Sequence, residues 1–226
     1  MNANAQIRGS ISVQEYLDGE QRTDMRHEYL AGQVVAMGGA SRSHGLVAGS
    51  LYALLLPHAR RKGCQLFVAD MKVRVEHEGD DWFYYPDLVL ACDPADRAAL
   101  YVRNPCLLVE VLSPSTEQTD TREKLLAYRL LPDLREYLLL RQDRVQADLY
   151  RRGEDGRWQH LRFESPDGAL ALSCLDVQPT LRDIYADLPE LLAAPGGADR
   201  RASLISIPAG SFRPRCETPP TAGSSH

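Results

Sequence analysis

Two carboxylates stand where carboxylates are unfavourable. Asp87 follows Pro86 inside YYPDLVLA, and Glu110 sits inside CLLVEVL between Val109 and Val111. A lone carboxylate in an apolar strand is costly unless a cation pairs with it or it holds a metal. Two such acids on neighbouring strands repel each other, and a divalent cation between them relieves the repulsion. Either acid alone is equally explained by a half-exposed strand face or an arginine partner. After Glu110 comes Ser113-Pro114-Ser115-Thr116, a strand-ending turn, and then a helical stretch with Lys124 in its first turns. Sites in open sheets form outside the carboxyl ends of strands, so Lys124 can reach back over them. On its own it would read as a surface lysine making helix-surface ion pairs.

Other candidates have a bland reading beside the chemical one. Asp70 and Lys72, in VADMKVRV, alternate onto one strand face with Arg74 and either line a cleft or face solvent. Ser113 and Ser115 can position backbone or substrate, and Asp120 can do so or cap a helix. His44, near a helix start, can contact phosphate or carboxylates, or bond locally. Arg60-Arg61-Lys62 is the densest basic cluster; it suits a nucleic-acid backbone or the negative end of a helix dipole.

The elements that must position these groups alternate. Ser12 caps a short helix, SVQEYLD, with Glu15 at the capping-box position. RHEYLAGQVVAMGG reads as two strands around Ala31-Gly32. Residues 43–62 form a helix, with Leu46, Val47, Leu51, Leu54 and Leu55 at helical spacing. Pro57 is expected to kink or end it. QLFVADMKVRV, FYYPDLVLA and CLLVEVL follow as strands, the last apolar enough to be covered on both faces. A helix spans about residues 120–131, and EYLLLRQ, VQADLYRR and RWQHLRFES are further strands with a hairpin turn at Glu154-Asp155-Gly156. TLRDIYADL is a helix capped by Thr180. The expected class is α/β or α+β, a mixed sheet flanked by helices with extra C-terminal strands.

Read in order, HEYLAGQVVAMGGAS, SHGLVAGSLYALL, YPDLVL, EVLSPST, REKLLAY and REYLLL resemble the Uma-two family of the PD-(D/E)XK restriction-endonuclease-like superfamily. The resemblance covers most of residues 10–190. It matches Pro86-Asp87 to the "PD" element and Glu110 to the (D/E) position. Leu112 stands where the superfamily places lysine, and Lys124 matches a helical lysine that fills that role in the family. Glu28 matches an upstream acidic position, and His44 a histidine usual in the family. The resemblance implies Mg²⁺- or Mn²⁺-dependent hydrolysis of DNA phosphodiesters. Asp87, Glu110 and the carbonyl of Val111 would hold the metal, Lys124 would serve the phosphate, and Glu28 would assist. It also implies a homodimer, with neither membrane nor nucleotide cofactor.

The chain has 226 residues, 26 basic and 31 acidic, for a net charge of −5. Such acidity taken alone argues against nucleic acid, but residues 22–162 hold 20 basic and 20 acidic side chains, so the whole excess lies in the flanks. No apolar run approaches the ~20 residues of a membrane span, and the N-terminus lacks a hydrophobic signal core, so a cytoplasmic location is expected. Cys64, Cys92, Cys106, Cys174 and Cys216 form no C-x-x-C pair and are odd in number, so reduced, mostly buried thiols are expected. A single domain over residues 8–190 is expected, then a disordered tail over 195–226 rich in Pro and Gly. Two other functions compete: a nuclease-fold binding or assembly module that has lost the reaction, and a metal-free carboxylate-pair glycosidase. The second lacks an aromatic-rich sugar groove, since aromatics are only 7%.

Overall fold

A computed structural model describes residues 10–113, 117, 119–193 and 205–207. The first helix, α1 (Val13–Glu20), starts on the expected capping box: Ser12 accepts from the amide of Glu15, whose carboxylate accepts from the Ser12 amide. The hairpin β1 (His27–Leu30) and β2 (Gln33–Ala36) turns through Ala31 and Gly32, both at positive φ. Helix α2 (Arg42–Arg61) runs past Pro57 without ending. It stops at Gly63, whose positive φ lets the Gly63 and Cys64 amides bond back to Arg60 and Ala59.

Two expected strands are each divided. QLFVADMKVRV forms β3 (Gln65–Val68) and β4 (Lys72–His77), separated by Ala69 at φ 62°. FYYPDLVLA forms the end of β5 (Asp80–Tyr84) and then β6 (Leu88–Ala91). Pro86 has no amide to continue a ladder. These breaks let the chain cross between two sheets, where one was expected. After β7 (Tyr101–Val102), the central strand β8 (Pro105–Leu112) leads to a π turn over Thr119–Lys124 and to α3 (Leu125–Tyr128). The meander β9 (Glu136–Arg141), β10 (Ala147–Arg152) and β11 (Trp158–Phe163) follows, then α4 (Leu181–Ile184) and α5 (Pro189–Ala193). Within the expected tail, β12 (Ile205–Ile207) pairs with β11; the rest of that tail lies outside the described residues.

The first sheet has strand order β2-β1-β5-β4-β7 and the second β12-β11-β10-β9-β8-β6-β3. Both are mixed, with one parallel pair each, β4·β7 and β8·β9. Three apolar clusters hold the layers. Tyr16 and Leu17 of α1 cover Tyr29 and Phe83 on the outer face of the first sheet. Val73, Val75 and Tyr84 meet Leu108, Leu112 and Tyr137 between the sheets, with Leu125 and Tyr128 of α3 closing one end. Val47, Leu51 and Leu55 of α2 cover Leu88, Leu90, Leu107 and Val109 on the far face of the second sheet. Each fully buried leucine contributes about 1.5–3 kcal/mol. β8 is therefore covered on both faces, as its unbroken apolar run required.

The thiol expectation is overturned for four of the five cysteines, and Cys216 lies outside the described residues. Cys64 is bonded to Cys92 and Cys106 to Cys174. The register Gln65↔Ala91 places Cys64 and Cys92 opposite each other just beyond the ends of β3 and β6, a neighbourhood that their separation of 28 residues does not reveal. Among the described residues, no helix is long and apolar enough to cross a membrane.

Candidate active site

At one end of the molecule β1 begins, β5 ends, β6 begins and β8 ends. Asp87 stands just before Leu88, which pairs with Val109, so the two acids come close where β6 begins beside β8, near enough for their charges to interact. Like charges placed so are destabilising unless each is compensated. Asp87 accepts from the His44 ring at 2.8 Å and from the Val111 amide at 2.6 Å. His44 arrives because Ser41 caps α2 and fixes the helix start beside β6. The hydrogen bond to Asp87 raises the imidazole's affinity for a proton, against the cost of burial. Val111 thus meets Asp87 through its amide.

Glu110 is compensated from the other side. Its Oε1 accepts from Lys124 Nζ at 3.1 Å and from the Tyr128 hydroxyl at 3.2 Å. Burial pushes this carboxyl well above the usual range, opposed by Lys124 and reinforced by Asp120, Asp87 and Glu28. The Lys124 ammonium lies 3.0 Å from Glu28, 3.1 Å from Glu110 and 3.1 Å from Asp120. Burial disfavours its charge, but the three acids outweigh burial and hold its pKa well above the ordinary value. The π turn, a feature that recurs at functional sites, sets Asp120 and Lys124 four residues apart on this inner side. The Tyr137 hydroxyl donates to the Asp120 carbonyl and anchors that turn to the sheet.

The structure brings together Asp87, Glu110, Lys124, Glu28 and His44, joins the secondary candidate Asp120 to them, and adds Tyr128 and Tyr137. Asp120 is 2% exposed and faces Lys124, so it does not act as a helix cap. Tyr128 and Tyr137 read as core residues; only their hydroxyl bonds mark them. Asp70 is exposed and paired with Arg26, outside the cluster. Lys72 lies on the outer face of the first sheet over Tyr85, its charge disfavoured by burial. Ser113 follows β8 and its carbonyl accepts from the Glu117 amide. Ser115 lies outside the described residues. Arg60, Arg61 and Lys62 sit at the far end of α2, about 27 Å from His44 along the axis. There the helix dipole and local partners engage them: Arg61 bonds His58 and Lys62 pairs with Asp176. A cleft of about 570 Å³ at that far end is lined by both disulfides and is remote from the acids.

The donor set suits a hard cation. Glu28, Asp87, Glu110 and Asp120 bring four carboxylates against one lysine and one histidine, and oxygen ligation is what Mg²⁺ and Mn²⁺ prefer. Glu28 Oε1 and Asp120 Oδ1 are buried and face only the Lys124 ammonium among the described residues, at 3.0 and 3.1 Å. Among the described residues the two hydrogen bonds to Glu110 both fall on Oε1. Among the described residues no three His, Cys, Asp or Glu side chains are grouped as a ready metal cage. The arrangement instead suits an ion held by two carboxylates and several waters, as is usual for Mg²⁺.

Comparison with known proteins follows the same lines. A family model named Uma2, described as "Putative restriction endonuclease", matches residues 13–182. The chain is 37% identical over 179 residues to the uncharacterized protein slr1290 of Synechocystis sp., covering 79% of this chain and 93% of that one. It is 31% identical over 150 residues to sll1609 of the same organism, covering 66% and 84%. A crystal structure described as "a putative nuclease belonging to DUF820" from Anabaena variabilis superposes with a TM-score of 0.61 at 16% identity. That likeness covers 76% of this chain and 97% of the other and bears on the fold.

Proposed function

This chain belongs to the Uma2 family, and from that membership we propose that it is a Mg²⁺- or Mn²⁺-dependent endonuclease cleaving phosphodiester bonds of DNA. The observation that carries the reading is the excess of buried carboxylate around Lys124 at the shared end of the two sheets. Asp87 and Glu110 would hold the metal, with Glu28 as a further donor. When bound, the metal supplies a water of lowered pKa and neutralises charge on the scissile phosphate. His44 and the Val111 amide fix the rotamer of Asp87. Tyr128 fixes Glu110. Lys124 offers a compact ammonium to charge developing on the phosphate. The lysine arrives from the helix because position 112 on the strand is a leucine buried between the sheets. Under this reading the enzyme is a homodimer, one site for each DNA strand.

A second reading, a binding module that keeps the fold without the reaction, is favoured by the three ion pairs that already engage Lys124. Cleavage of supercoiled plasmid separates the two. Wild type nicks the plasmid with Mn²⁺ and stops with EDTA, while Asp87→Asn and Glu110→Gln leave only background. Equal cleavage by both variants would place the chemistry elsewhere. Divalent-metal binding absent by calorimetry, with DNA binding retained, would select the binding module.

A further inference from the structure

Lys72 is 7% exposed, yet among the described residues no carboxylate lies within ion-pair distance of its ammonium. Its Nζ sits 5.0 Å over the Tyr85 ring. Buried lysines are ordinarily paired, because an uncompensated ammonium in low dielectric is costly. Glu20, the acid whose charge acts most strongly on Lys72, is already engaged: its carboxylate accepts from the Tyr85 hydroxyl at 2.6 Å and meets the His27 ring at 2.8 Å. Arg26 carries a like charge that acts on Lys72, and its side chain is 37% exposed. Among the described residues the acid in ion-pair contact with Arg26 is Asp70, on the exposed turn between β3 and β4. Two cations that repel, one of them buried without a counter-ion, make a place for an anion.

Its position says which anion. Lys72 opens β4 and, from the register Val73↔Tyr84, stands opposite Tyr85. Only Pro86 separates Tyr85 from Asp87, a span of at most about 7 Å. The amide of Ala69, on the same turn as Asp70, donates to the Asp87 carbonyl. Lys72 and the acid cluster therefore lie at the same end of the first sheet, where β1 and β4 begin and β5 ends, with Lys72 on its outer face. We propose that Lys72 and Arg26 form a phosphate-binding subsite that grips the sugar–phosphate backbone of the substrate strand next to the scissile position. This rests on the nuclease reading above and adds where the strand runs: from the acid cluster, past Tyr85, onto the outer face of the first sheet.

Anisotropy of a labelled DNA duplex and its single strand, bound by the full chain in EDTA over a series of KCl concentrations, tests it without cleavage. Each phosphate contact contributes about one unit to the slope of log affinity against log salt. Lys72→Met keeps the stem over Tyr85 and removes the charge; it lowers that slope by about one and weakens binding several-fold at low salt. Lys72→Arg restores the slope. Arg26→Gln has the same effect and carries the test if Lys72→Met does not fold. Arg182→Gln removes a charge at α4 and leaves the slope unchanged. An unchanged slope in both Lys72→Met and Arg26→Gln overturns the subsite, as does wild-type protein that binds neither DNA. Displacement of DNA by inorganic phosphate beyond ionic-strength-matched chloride marks a free-anion site and also overturns it. Because no metal is present, an unchanged slope leaves the plasmid result standing, and a failed plasmid result leaves these slopes to be read alone.

Discussion

Lys124 shows how much a single side chain can carry. It balances Glu28, Glu110 and Asp120, and losing one partner of a buried ionic cluster costs about 3–5 kcal/mol because the remaining charges are stranded. Lys124→Met is therefore expected to lower stability by that order in urea denaturation with EDTA present. If the acids are a cation site, Mn²⁺ raises the melting temperature of Lys124→Met by more than that of wild type. A variant as stable as wild type would remove the ammonium from this role. Asp87 and Glu110 were legible in the sequence because each breaks an apolar run. Asp120 was legible only as a group that could position backbone or substrate or else cap the helix, because an acid near a helix start has a routine explanation. Its burial depends on a π turn whose register no local pattern announces.

Between elements, Asp148 on β10 joins its neighbour β11. Burial tends to raise its carboxyl, but bonds from His160 at 2.6 Å, Arg162 at 2.8 Å and Gln146 at 3.0 Å outweigh that and hold it at about 2. A carboxylate depressed in the fold contributes stability above its unfolded pKa, and loses it as pH falls through the folded value. From the ordinary value of 3.8 down to about 2, the term is of order 2 kcal/mol. The difference in melting temperature between wild type and Asp148→Asn is expected to be large at pH 6. It should collapse as pH falls from about 4 to 2, and a difference constant with pH would refute the pairing. The strands themselves were readable from alternation, turns and caps. The division of QLFVADMKVRV and FYYPDLVLA was not, because alternation continues through both breaks while the chain changes sheet.

For the whole molecule, the two disulfides close separate loops, with sequence separations of 28 and 68 residues. In the chain-entropy account, loops of that length contribute about 3–4 kcal/mol each. Reduction is expected to lower the melting temperature markedly, and Cys64→Ser with Cys92→Ser should reproduce part of the fall. Melting unchanged by a dithiol reductant would show that the bonds do not stabilise the chain. They lie at the end of the second sheet opposite Asp87, so metal-dependent cleavage is expected to survive mild reduction at low temperature. By itself, the sequence determined which segments become helices and strands, since periodicity and capping act within a few residues. It also determined which acids and which lysine are out of place in their surroundings, since burying charge in an apolar run is unfavourable wherever the run lies. Only the tertiary structure decided which cysteines pair, that two sheets form, and that Glu28, Glu110 and Asp120 converge on Lys124. It also decided that Lys72 is buried without a counter-ion. Those facts depend on distances between segments far apart in the chain, which packing sets and local pattern does not encode.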